Sequence, residues 1–208
     1  MTEDEGTHRW QRIPRVETAD PTAERRGAIA SIARRPRDPE ARRRMRALAA
    51  DQGAWEQLAL MLADEVRGAS KRPEVAAAFF EELADVYENL DQLLETIGAL
   101  EALVELEPDH LEHRDRLAKL YWRAGAWQKA AAAFERVAEL ARDDRARAAL
   151  RAAGKLYRDN GRLEQAARTY NAIVERKPAD LDAGRALDEI LSQLGLWRDV
   201  AWVRGELA

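Results

Sequence analysis

The sequence predicts an all-α protein, a solenoid of about five helix pairs with one further helix in front. Three observations carry this expectation. Helix formers dominate: Ala, Leu and Arg are abundant and aromatics make up only 6% of the 208 residues. One segment type recurs, anchored at Trp55, Leu93, Trp127, Leu163 and Trp197 with spacings of 38, 34, 36 and 34 residues, a period that marks stacked repeats. Each copy follows a second amphipathic stretch whose apolar residues fall three and four apart, as one buried helix face requires.

Taken in order, residues 1–20 are polar and read as a flexible tail, and 21–208 as the repeat domain. A first helix is expected over about 22–35, an unpaired second member of a pair. Five pairs follow over about 39–69, 73–106, 110–141, 145–176 and 180–207. The recurring segments read GAWEQLALMLADEV from Gly53, GAWQKAAAAFERVA from Gly125, GRLEQAARTYNAIV from Gly161 and GLWRDVAWVRGELA from Gly195, with a degenerate copy from Asp91. A Gly just past a helix end takes the left-handed conformation without Cβ strain, which suits Gly125, Gly161 and Gly195. Asp20-Pro21 and Asp38-Pro39 stand where helices should start, because Asp caps free amides and Pro loses nothing at the first helical position. Asp109 with Glu112 has capping-box spacing.

Composition excludes several function classes. The chain has no Cys, hence neither disulfides nor thiolate chemistry. The start carries no apolar run of signal-peptide length, and no stretch has the ~20 apolar residues that cross a bilayer. A cytoplasmic location is the expectation. Arg outnumbers Lys 29 to 5, which hints at a GC-rich bacterial genome. The net charge of −4 hides a lopsided distribution. Nine Arg and three acids lie between Thr22 and Arg46, whereas twelve acids and no Lys or Arg lie between Pro73 and His113. The Arg-rich start could contact nucleic acid or another anionic surface, or be a solvated helix in an Arg-preferring sequence, and the second reading is adopted. The two stretches could also attract one another head to tail between molecules.

Catalytic machinery is not expected. The three Ser, at 31, 70 and 192, lie in no nucleophile motif, and no Gly-rich phosphate loop follows a strand. His110 and His113 stand one helical turn apart, so a metal could be held there, but a solvated helix start is the adopted reading. No metal and no cofactor are expected. His8, Trp10 and Ile13 fall in the tail.

The repeats resemble the tetratricopeptide repeat family. Counting from Ala77, the chain offers Phe80, Leu83, Ala84, Tyr87, Leu100 and Pro108, with Thr96 where the family has Ala. From Leu111 it offers Leu117, Ala118, Tyr121, Gly125, Ala130 and Phe134, with Arg114 and Arg142 departing from the pattern. From Arg147 it offers Leu150, Gly154, Tyr157, Gly161, Ala166, Tyr170 and Pro178. The first pair lacks the small-residue pattern. The last has Asp188 at a small position and Arg204 at an aromatic one. The resemblance implies a right-handed solenoid and a non-enzymatic adaptor or scaffold.

In this family the first helix of each pair lines a concave groove. Carried over, the groove residues are Glu81, Asp85, Glu88, Lys119, Trp122, Arg123, Arg151, Lys155 and Arg158, acidic at one end and basic at the other. A protein or peptide partner is expected there. Some members grip a chaperone's C-terminal carboxylate with Lys, Asn and Arg; Arg151 and Lys155 occupy such positions here, but the upstream Lys and Asn are replaced by Glu81 and Asp85, so that ligand is not expected. Trp122 sits beside the core position Tyr121, and two placements stay open: a groove anchor, or packing against a neighbouring helix. Trp55, Trp127 and Trp197 share one repeat position and are expected in the core. Trp202, Val203 and Leu207 on the last helix could leave an apolar end. The alternative function is therefore a structural subunit that packs through its solenoid ends, with itself or another chain. A regulatory role through the Arg-rich start comes third.

Overall fold

The computed structural model describes residues 20–69, 71–177 and 179–206, and every element among them is an α-helix. In chain order these are α1 (Pro21–Arg34), α2 (Pro39–Gln52), α3 (Trp55–Gly68), α4 (Pro73–Asn89), α5 (Leu93–Leu106), α6 (Leu111–Arg123), α7 (Trp127–Leu140), α8 (Asp143–Asp159), α9 (Leu163–Arg176), α10 (Leu181–Gln193) and α11 (Trp197–Glu206). The solenoid of helix pairs that the periodicity predicts is the observed architecture. Residues 1–19, Pro178 and Leu207 lie outside the described residues.

Each helix lays an apolar stripe against its neighbours. The stripes join into one core that runs from Ala28 to Val203. Phe79, Leu100, Ile173 and Leu187 are among its fully buried members, each contributing about 1.5–3 kcal/mol by leaving water. Small residues let successive helices close. Ala84 and Ala118 have no exposed surface, and a Cβ built on Gly154 would stand 3.0 Å from the Tyr170 ring. The first expected pair lacks these small residues, and its two helices touch little: α2 packs on α1, and α3 on α4.

Aspartate caps mark the starts of α1, α2 and α10. The Asp20 and Asp38 carboxylates each accept from a backbone amide two residues on, at 2.9 Å, and Asp180 accepts from the Ala183 amide at 3.2 Å. Asp20 is thus the N-cap of α1, as its place before Pro21 predicts. The Asp109–Glu112 capping box does not form. Because α6 begins one residue later, His110 takes the cap position, Asp109 pairs with Arg136 at 3.3 Å, and Glu112 pairs with Arg145 at 3.0 Å. Gly125, Gly161 and Gly195 have φ of 72°, 69° and 71°, whereas Asp91 holds the equivalent turn at φ 53°.

The tryptophans divide. Trp55 and Trp127 are half-buried against the core, but Trp197 is 66% exposed and not a core residue. Helices α3 and α7 are each followed by another helix packed on them, whereas α11 is the last described helix.

Candidate functional site

Helices α2, α4, α6, α8 and α10 are joined to one another by ion pairs rather than by backbone proximity. Arg42 on α2 pairs with Glu81 on α4. Arg46 reaches Glu82 through two hydrogen bonds of 2.9 and 2.8 Å and Asp85 at 3.1 Å. From α6, Arg116 donates to Asp85 at 2.7 Å and also to Glu88. Arg145 at the start of α8 spans to Glu112 and to Asp115, at 3.0 and 3.7 Å. Arg151 donates to Asp180, the cap of α10, and Arg158 faces Glu189 at 4.0 Å.

This ladder takes up most of the groove residues named from sequence. Glu81, Asp85, Glu88, Arg151 and Arg158 are its rungs. Lys119 pairs with Asp115 at 2.7 Å and Arg123 with Asp91 at 3.1 Å. Two candidates remain outside any ion pair among the described residues. Trp122 is 58% exposed, near the end of the α6 stripe that carries Asp115 and Lys119. Lys155 is exposed on α8. Sequence reading missed Arg42, Arg46, Arg116 and Arg145, which hold the ladder together. Their signal is opposite charge about one repeat apart, since Arg46 and Glu82 are separated by 36 positions and Arg145 and Glu112 by 33.

The electrostatics follow from burial. Glu82 has no exposed surface; burial pushes its carboxyl above the ordinary value while Arg46 and Arg42 oppose that shift. Its neighbour Glu81 moves the other way, to about 2, through contact with His113 first and Arg42 second, against the effect of burial. Two adjacent carboxyls are thus driven apart by one helical step.

Of the nine Arg in the basic start, three serve the interior. Arg25 is buried and donates to Gln52 and, at 2.9 Å, to Gln57. Arg42 and Arg46 meet the acidic stretch inside the same molecule, so part of the charge asymmetry is neutralised intramolecularly. Arg26, Arg34, Arg35, Arg37, Arg43 and Arg44 are exposed.

His113 also departs from expectation. It is buried rather than solvated, and its ring stacks on His110 with centroids 3.7 Å apart. Among the described residues Glu107, His110 and His113 form one group whose donor atoms lie within 4.8 Å of one another. At the far end, Trp202 is 47% exposed and Val203 is buried. Trp202 borders a cleft of about 390 Å³ with Ala167, Leu187, Leu191 and Leu196.

No described helix is long and apolar enough to cross a membrane. No curated protein matches the chain. Among solved structures, a tetratricopeptide repeat protein from Parabacteroides merdae is similar at 16% identity and TM-score 0.46, over 88% of this chain and 71% of that one. A putative kinesin light chain from Podosopora anserina, with nearly identical TPR-like repeats, is similar at 19% identity and TM-score 0.46, over 91% and 95%. MamA from Desulfovibrio magneticus RS-1 is similar at 15% identity and TM-score 0.46, over 88% and 93%. Two family models, each described as tetratricopeptide repeat, match residues 115–144 and 147–180. These units cover α6 to α9, so the chain carries tetratricopeptide repeats there, and the fold they denote serves protein–protein interaction in general.

Proposed function

We propose that the chain is a non-enzymatic adaptor that binds a peptide or partner domain on the face where the first helices meet, in the half formed by α6 and α8. One observation carries the reading: Trp122 is 58% exposed there, and Lys155 on the next first helix is exposed without an ion-pair partner among the described residues. An exposed aromatic on a rigid helix offers a large contact area at little entropic cost, and truncating such an anchor at an interface often costs ~2 kcal/mol or more. Lys155 adds a cation that can meet a carboxylate without first breaking an internal pair. The favoured ligand has an apolar or aromatic side chain next to an acidic group. The experiment is affinity capture from the native cell with wild type beside Trp122→Ala and Lys155→Glu, circular dichroism confirming that both variants stay helical. A partner retained equally by both variants would sink the reading.

A second reading, a structural subunit that packs through its C-terminal end, is favoured by Leu196, Trp197 and Trp202, which are 45%, 66% and 47% exposed at that end. Light scattering that gives a monomer mass at every concentration removes self-association from it.

A further inference from the structure

We infer that Glu107, His110 and His113 form a binding site for one divalent transition-metal ion of the zinc class. The three residues come from a single turn. Glu107 is the C-cap of α5, His110 the N-cap of α6, and His113 lies one helical turn further. A hydrogen bond of 3.1 Å from the His110 amide to the Glu107 carbonyl closes the turn, and the Arg114 guanidinium, donating to the Pro108 carbonyl, clamps it. Their donor atoms lie within 4.8 Å of one another.

His113 supplies the independent observation. Its Nδ1 is buried and makes no hydrogen bond, an unfavourable condition for a polar atom with nothing to satisfy it. The closest carboxylate oxygen, on Glu107, stands 3.3 Å away. Two donors at about 2.0–2.1 Å from a tetrahedral zinc ion stand about 3.3 Å apart, so this spacing suits two ligands of one ion. On the other side of the ring, Nε2 faces the Glu81 carboxylate at 3.9 Å. That separation is beyond hydrogen-bond reach, and a small shift of the ring toward Glu81 would let this carboxylate orient the histidine as outer carboxylates do around metals.

The two imidazoles stack with centroids 3.7 Å apart, and near-parallel rings do not aim their lone pairs at one point, so the exposed His110 must turn out of the stack to ligate. A cavity of about 250 Å³ opens in front of the group, bordered by Glu74, Ala77 and Ala78 and also by Arg37 and Arg42, whose charge opposes a cation; it leaves room for water or a further ligand at the fourth position. The N-terminal partial charge of α6 opposes a cation, and the C-terminal partial charge of α5 offsets it by a similar amount. The donor set decides the ion. Two imidazoles and one carboxylate suit zinc, copper or nickel and discriminate against magnesium and calcium, which take oxygen. The location has a consequence too, since α5 and α6 pack more thinly than the later consecutive helices. A bound ion would clip that junction.

The test is calorimetric titration of the full chain, carrying no polyhistidine tag, with Zn²⁺ and then with Mg²⁺. Thermal melts with and without Zn²⁺ accompany it. His113→Ala removes a buried side chain and can unfold the protein, so His110→Ala, at an exposed position, and Glu107→Gln are the deciding variants. The expected result is one Zn²⁺ per chain, a melting temperature raised by Zn²⁺ alone, and binding at least about tenfold weaker in both variants, the least that loss of even an outer-shell partner costs. Absence of saturable Zn²⁺ binding in the wild type overturns the proposal. Equal affinity in wild type and either variant, or an equal melting shift with Mg²⁺, overturns it as well.

Discussion

Removing the two partners of the α2–α4 ion pair one at a time should have unequal costs. Glu82 has no exposed surface, whereas Arg46 is 39% exposed. Glu82→Gln leaves a guanidinium that can rehydrate and keep its contact with Asp85 at 3.1 Å, so the loss should be about 1 kcal/mol, the worth of an ordinary hydrogen bond. Arg46→Met leaves a desolvated carboxylate. Breaking a buried pair this way costs about 3–5 kcal/mol, and the lower end applies because Arg42 Nε remains at 3.5 Å. The sign of the pH dependence separates this from a packing defect. Burial already raises the Glu82 pKa above the ordinary 4.5, and removing Arg46 raises it further. The folded state then binds more protons than the unfolded one between the unfolded pKa and the raised folded pKa. Stability therefore falls as pH rises through that window and recovers as pH drops. Urea unfolding followed by circular dichroism at about pH 7 and about pH 5 reads both effects, with the Arg46→Met deficit smaller at the lower pH. A deficit no larger than that of Glu82→Gln at the higher pH, or one that does not shrink at the lower pH, refutes the argument.

Two further predictions concern the helix packing and the turns. Gly154→Leu forces atoms into the Tyr170 ring, already 3.0 Å from the site of a Cβ, and should cost about 1–3 kcal/mol; in a thermal melt the double variant Gly154→Leu/Tyr170→Ala should lose less than the sum of the two single changes. Asp91→Gly should stabilise the α4–α5 turn by about 0.5–1 kcal/mol, because an L-residue in the left-handed region costs ~1–2 kcal/mol and the exposed pair with Arg123 that it gives up is worth ~0–1; a lower midpoint in urea than wild type would show that the Arg123 pair outweighs the backbone strain.

Helix number and order were legible because each helix carries its own apolar period and its own punctuation, and both are local. The groove was legible only as a stripe of positions. Whether Glu81, Asp85 or Arg151 faces a ligand or another helix depends on residues about one repeat away, and reading a stripe as a free surface ignores the adjacent stripe. Paired as opposite charges one repeat apart, Arg46 with Glu82 and Arg116 with Asp85 would have shown the ladder. Trp197 misled for a related reason. It occupies the same repeat position as Trp55 and Trp127, but burial belongs to the neighbour, and α11 is the last described helix. His113 looked solvated because it begins a helix, yet Glu107 and Glu81 enclose it from two preceding helices.

The rungs between successive first helices also constrain what a partner can do there. An incoming carboxylate that seeks Arg151 must displace Asp180, and a basic side chain that seeks Asp85 must displace Arg46 or Arg116. Docking along that face is thus an exchange of counterions, in which each new contact is discounted by an old one lost. Charge there would govern which sequences are rejected more than how tightly any is held, while grip would come from the few groups, such as Trp122 and Lys155, with nothing to surrender.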